Sequence, residues 1–195
     1  MALSKQAKIL SKAQIETLLL HVGNGRNAIR NRVIVLLSIR AGLRAKEIAH
    51  LTWSMILASD GTLSDDIALE DCAAKGQSGR IVPIAKDLKV ALLAWRTECG
   101  IVDHRSRVVK TERAASTSAQ MIVNMFATWF EALAFYGCSS HSGRRTFITN
   151  AARRISTVGG SLRDVQSLAG HSSLSTTQRY IEVNAEAKRR VVELQ

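Results

Sequence analysis

The chain has 195 residues, 46% hydrophobic and 22% charged, and its 27 Lys and Arg against 16 Asp and Glu give a formal net charge of +11. This composition excludes a disordered chain, the length fits one ordinary globular domain, and the cationic excess favours a polyanionic partner, most often nucleic acid. Apolar runs such as Val33 to Leu37 fall far short of the ~20 residues that cross a bilayer, so no membrane span is expected.

In chain order, Ser11-x-x-Gln14 forms a capping box that opens a helix through Ile15, Leu18, Leu19 and Val22. A second helix over 26–41 is apolar almost all round (Ile29, Val33, Ile34, Leu36, Leu37), which predicts the buried centre of the fold, stopped by a left-handed cap at Gly42. A short helix follows over 45–51. Residues 53–57, 67–72 and 80–84 then read as three short strands, with Ser59-Asp60-Gly61 and Gly76-Gln77-Ser78-Gly79 as turns. Asp87 is expected to cap a helix over 88–98, and the basic stretch 100–116 to form a loop. From Ser118, the recurrence of Met121, Ile122, Met125, Phe126, Trp129, Phe130 and Leu133 predicts an amphipathic helix ending at Gly137. Another helix spans 142–155, with a hinge at Val158-Gly159-Gly160. The box Ser161-x-x-Asp164 caps a helix stopped by Gly170, and helices over 173–181 and 185–194 close the chain. The expected fold is mostly α with a small three-stranded antiparallel sheet, and 1–195 reads as a single domain.

The opening lysines interrupt any secretory apolar core, and three widely spaced cysteines (Cys72, Cys99, Cys138) read as reduced thiols, so a cytoplasmic location is expected. Cys138-x-x-His141 has the spacing of half a zinc site but lacks a second pair. No phosphate-binding glycine loop and no cluster of carboxylates for Mg²⁺ occurs, so no cofactor or metal is expected.

Cationic and imidazole groups instead recur at element edges: Arg44 after the Gly42 stop, Lys75 at a hairpin tip, His141 and Arg144 three residues apart, His171 after Gly170, and Tyr180. Singly, each is an ordinary surface or capping residue. Together they suit a phosphodiester. Paired guanidiniums fork onto non-bridging oxygens and stabilise a pentacoordinate transition state without metal. A tyrosine hydroxyl forms a covalent phosphotyrosine once cations and an imidazole favour the phenolate, and a lysine protonates the departing sugar oxygen.

The strings AGLRAKEIAHLTW, AKGQSGRIVPI, HSGRRTF and LAGHSSLSTTQRYIEV resemble the tyrosine recombinase, or phage integrase, family over nearly the whole chain. They match its catalytic set at Arg44, Lys75, His141, Arg144, His171 and Tyr180. The resemblance implies a helical domain with a small three-stranded sheet that breaks and rejoins double-stranded DNA. In that scheme Tyr180 attacks the scissile phosphate to give a 3′-phosphotyrosyl link and a free 5′-hydroxyl. Arg44 and Arg144 hold the phosphate, His171 donates a further hydrogen bond, Lys75 protonates the leaving oxygen, and His141 assists proton transfer. Neither ATP nor metal is needed. The family acts as four protomers on two duplexes and commonly exchanges C-terminal helices, a role that the amphipathic tail 184–195 fits as well as packing on its own domain. A monomer when free and an accessory DNA-binding protein are compatible with the same scheme.

The chain departs from the family pattern in three ways. Arg44 comes too early to leave room for an N-terminal DNA-clamping domain of about a hundred residues, so the expectation is a catalytic domain alone, similar either to the short fimbrial phase-switch invertases or to a catalytic remnant. Gly143 and Arg145 stand where leucine and histidine are usual; Gly143 is expected to weaken its helix and Arg145 to add charge near the site. The stretch 153–162 is longer than usual. A competing reading takes 161–180 as a helix-turn-helix of a non-catalytic DNA-binding regulator, with Thr177 and Arg179 on DNA. A type IB topoisomerase shares the chemistry but works as a monomer.

Overall fold

A computed structural model of the chain describes residues 7–71, 73, 79–100, 102–111, 114–180 and 192–193. Helix α1 (Lys12–Gly23) starts at the predicted capping box, with Ser11 and Gln14 bonding each other's backbone N–H, and turns Leu18 and Val22 inward. Helix α2 (Ala28–Arg40) is the buried centre, with every residue from Val33 to Ile39 out of solvent. It packs on α1, on α3 (Ala45–His50), on α4 (Lys86–Cys99) and on α6 (Ser142–Arg154). Helix α5 (Ala119–Ala132) is capped by Ser118 and inserts Ile122, Phe126, Trp129 and Phe130 into the same core. At ~1.5–3 kcal/mol for each fully buried large apolar side chain, this layer around α2 dominates stability.

Two strands are present among the described residues rather than three: β1 (Asp66–Leu69) and β2 (Arg80–Pro83), antiparallel, with Ile67 opposite Val82 and Leu69 opposite Arg80. The expected first strand is a 3₁₀ turn, Trp53–Met55, flanked by isolated bridges from Thr52 to Arg107 and from Leu57 to Leu63. Trp53, Met55 and Ile56 are all buried. A strand would send Met55 and Ile56 to opposite faces, whereas a tight turn brings all three inward. Val108, in the stretch expected to be a loop, is tied down by Trp95 Nε1 donating to its carbonyl at 2.7 Å and by its own N–H donating to the Leu51 carbonyl at 2.8 Å.

Other boundaries differ from expectation. Asp87 sits in the first turn of α4 instead of capping it; its carboxylate pairs with Arg40 Nε at 2.7 Å, and Ala85 is the cap. Helix α5 ends five residues before Gly137, because Ala134 takes a left-handed conformation and Phe135 folds back to bond the Phe130 carbonyl. The expected hinge is a closed turn, Ile155–Val158, with Gly160 N–H bonded to the Ile155 carbonyl. Helix α7 (Leu162–Ala169) has its Ser161/Asp164 box, and α8 (Leu174–Gln178) is shorter than the expected 173–181. Lys75, Cys72, Ile181 and the helix expected over 185–194 lie outside the described residues, apart from 192–193.

Gly143 does more than weaken a helix. A Cβ there would lie 2.3 Å from Ser38 Oγ and 3.0 Å from Ile39 Cγ2, so the missing side chain lets α6 lie directly against α2. That close approach positions the site.

Candidate active site

The centre of the site is a buried ion pair that the sequence reading did not identify. Glu47, fully buried in α3, accepts Arg80 Nη1 and Nη2, one on each carboxylate oxygen at 3.0 Å, and Arg44 Nη1 at 2.7 Å. Its Oε2 also accepts the Arg44 backbone N–H at 2.8 Å, capping the helix. Burial alone would raise this carboxyl; the hydrogen bonds and charges of Arg80 and Arg44 outweigh it and hold the pKa at about 2. Two signals were available. Glu47 is the third residue after a helix start, where a carboxylate caps the backbone. Val82 must face the core, and period two along β2 then carries Arg80 inward with it while Ile81 faces solvent.

Helix termini supply the next layer. The last carbonyls of a helix lack intrahelical partners and attract cations. At the end of α7, Arg80 Nε donates to the Leu168 carbonyl at 2.9 Å and Arg144 Nη2 donates to that of Ala169. Arg144 Nη1 reaches the Gly42 carbonyl at 2.7 Å, beyond the end of α2. Gly42 adopts φ +64° as expected, and a Cβ there would strike the Phe147 ring at 2.4 Å. Arg144, 4% exposed, therefore fastens the α2–α3 link to the end of α7. Its pKa is lowered to about 10, first by burial and then by Arg44, partly offset by Glu47 and the Tyr180 phenol, so it stays charged at neutral pH.

His141 begins α6 as its N-cap residue, with an exposed side chain. His141, Arg144 and Tyr180 line one cavity of about 390 Å³, together with Arg145, Thr176 and Arg179. Arg145 Nη1 donates to the Ala7 carbonyl at 3.1 Å, which brings the N-terminal segment to the cavity wall. His171 stacks on Tyr180 with ring centroids 5.5 Å apart and planes at 24°, and its Nδ1 lies 2.9 Å from Thr177 Oγ1. Burial, followed by the Arg144, Arg44 and Arg80 guanidiniums, pushes the imidazole pKa down to about 4. Tyr180 packs on a small apolar cluster of Ile148, Val165 and Ala169.

Of the sequence-predicted residues, His141, Arg144 and Tyr180 line this cavity, His171 stacks on the Tyr180 ring, and Arg44 joins them through Glu47 and its repulsion of Arg144. Lys75 lies in the undescribed link between β1 and β2. Among the described residues no three His, Cys, Asp or Glu side chains converge. Three guanidiniums against a single carboxylate leave a cationic centre beside a phenol, suited to an anion with several oxygens.

Residues 8–187 match the sequence model of the phage integrase family. The chain is 26% identical to the tyrosine recombinase XerD of Rickettsia conorii, over 91% of this chain and 60% of that protein. It is 28% identical to the tyrosine recombinase XerA of Thermococcus kodakarensis, over 95% of this chain and 62% of that protein. It thus spans about 60% of the length of these curated relatives. Among solved structures, the Tn1549 transposon integrase in complex with a circular intermediate DNA shares the fold, with a TM-score of 0.73 at 17% identity, over 97% of this chain and 66% of that one.

Proposed function

The chain belongs to the phage integrase family, and from that premise we propose that it is a site-specific recombinase that cuts and rejoins DNA through a 3′-phosphotyrosyl intermediate. Arg44 and Arg144 bind the non-bridging oxygens of the scissile phosphate and stabilise the charge that grows as the phosphorus becomes pentacoordinate. Tyr180 Oη gives up its proton, with His141 assisting, and attacks phosphorus. The P–O5′ bond breaks, and the departing 5′ oxygen takes a proton from Lys75. His171 donates a hydrogen bond to the phosphate. The bond energy stays in the protein–DNA ester, so rejoining is the same reaction in reverse.

The observation that carries this reading is the shared cavity of Tyr180, Arg144 and His141, with His171 stacked on the phenol ring. We further propose that residues 1–195 act as the catalytic domain, that four protomers work on two duplexes with an accessory DNA-binding protein where needed, and that the reaction takes place in the cytoplasm or nucleoid. Among the described residues no helix is long and apolar enough to cross a membrane. The regulator reading is weaker, because Thr177, which it would put on DNA, is fully buried, and the would-be recognition helix α8 has five residues.

The test is incubation with nicked or 5′-phosphorothiolate DNA in excess EDTA. A denaturation-resistant protein–DNA band is expected from the wild type and none from Tyr180→Phe. Identical behaviour of the two proteins, with ordinary DNA binding, favours the regulator.

A further inference from the structure

Thr177 touches both aromatic groups of the site. Its side chain is fully buried with Oγ1 2.9 Å from His171 Nδ1, and its backbone carbonyl accepts the Tyr180 N–H at 3.0 Å. Its own place is set from the start of α8, where Ser173 caps the helix through the Ser175 N–H. The His171 backbone is held as well: its N–H donates to the Gln166 carbonyl at 3.1 Å and its carbonyl accepts Gln166 Nε2 at 3.0 Å. With backbone and ring both fixed, what is left to decide is which ring nitrogen carries the proton.

A buried hydroxyl needs an acceptor for its proton, and His171 Nδ1 is the one within reach of Thr177 Oγ1 among the described residues. A neutral imidazole has one N–H and one bare nitrogen, so a ring that accepts at Nδ1 carries its proton on Nε2. Burial, followed by the Arg144, Arg44 and Arg80 guanidiniums, lowers the imidazole pKa to about 4, so the ring is neutral at pH 7. Without a partner at Nδ1, either tautomer is open, and the one protonated at Nδ1 presents a bare nitrogen to an anionic oxygen.

We propose that Thr177 is a positioning residue that donates its hydroxyl proton to His171 Nδ1, fixes the proton on Nε2, and so aims an N–H at the scissile phosphate. The phosphate half of this statement rests on the strand-cleavage reading; the tautomer half does not. Burying a neutral threonine under the histidine sets the donor without adding charge to a site already rich in cations.

The experiment pairs ¹⁵N NMR of the His171 ring in the free protein with covalent-adduct rates on phosphorothiolate DNA, for wild type, Thr177→Val and Thr177→Ser. Valine keeps the shape and removes the hydroxyl; serine restores it. The Nε2–H tautomer is expected in wild type and Thr177→Ser and a mixture in Thr177→Val. The valine variant should form adduct about tenfold more slowly with DNA affinity within about twofold, and the serine variant within about threefold of wild type. An Nδ1–H tautomer in wild type, or a valine variant unchanged in both readouts, overturns the proposal. If the tautomers follow expectation while no protein forms adduct, the positioning of the proton stands and the strand-cleavage reading fails.

Discussion

Glu47→Gln is the substitution that most directly probes how the site is held together. Glutamine keeps the shape but removes the negative charge that Arg44 and Arg80 share, and its amide N–H₂ faces a guanidinium donor on one side. Breaking a buried, hydrogen-bonded ion pair from one side costs about 3–5 kcal/mol. The displacement of the Glu47 pKa from 4.5 to about 2 gives an independent figure on the order of 3 kcal/mol at neutral pH. For a domain of this size the two agree on a Tm lower by roughly 6–20 °C. The pH dependence has a definite sign. The folded carboxyl titrates below the unfolded one, so its contribution is complete above about pH 4.5 and is lost as pH falls towards 2. Urea unfolding of wild type and Glu47→Gln from pH 7 down to 2 should therefore show a gap that closes in that window. A variant within about 1 kcal/mol of wild type at pH 7, or a gap that persists at pH 2, would show that the Glu47 carboxylate does not hold the two guanidiniums together.

Two further outcomes follow from the geometry. His171 in the free protein should titrate near 4 by NMR, and adding DNA should raise its midpoint as a phosphate replaces solvent beside the ring. Because the unfolded histidine binds its proton near 6.5 and the folded one near 4, this group makes the fold less stable as pH drops through that interval; a free-protein midpoint at 6.5 or above contradicts the packing described. Gly143→Ala should destabilise by about 1–3 kcal/mol in urea unfolding through overpacking against Ser38, where helix propensity alone would predict a gain of about 1 kcal/mol. A more stable Gly143→Ala protein would show that α2 and α6 are not in close contact.

Most helices were legible in the sequence because their start signals act locally. Ser11 and Ser118 each accept a first-turn N–H on their hydroxyl oxygens, and at the start of α7 the Asp164 carboxylate accepts the Ser161 N–H and hydroxyl, all contacts within three residues of sequence. The buried centre at α2 was equally legible from its apolar run, Val33 to Leu37. The strand expected over 53–57 was not, since the alternation of Trp53 and Met55 suits a strand as well as a 3₁₀ turn; the burial of Ile56 beside Met55 decides it. In the site, three residues picked out by local strings, His141, Arg144 and Tyr180, line one cavity. Glu47 and Arg80 were not legible, because a carboxylate in a six-residue helix and an arginine in a strand look like surface decoration until α3, β2 and α7 are brought together. Gly143 was misjudged for the same reason: its role lies in a neighbour more than a hundred residues away in sequence.

In the proposed reaction Tyr180 is the nucleophile, and the chain contains only one other tyrosine, Tyr136, which is 80% exposed. Peptide mass mapping of the trapped protein–DNA adduct therefore tests that role most directly. A phosphonucleotide is expected on the peptide bearing Tyr180, with the adduct retained in Tyr136→Phe. A nucleotide on Tyr136, or on any histidine or serine while Tyr180 is unmodified, would contradict that role.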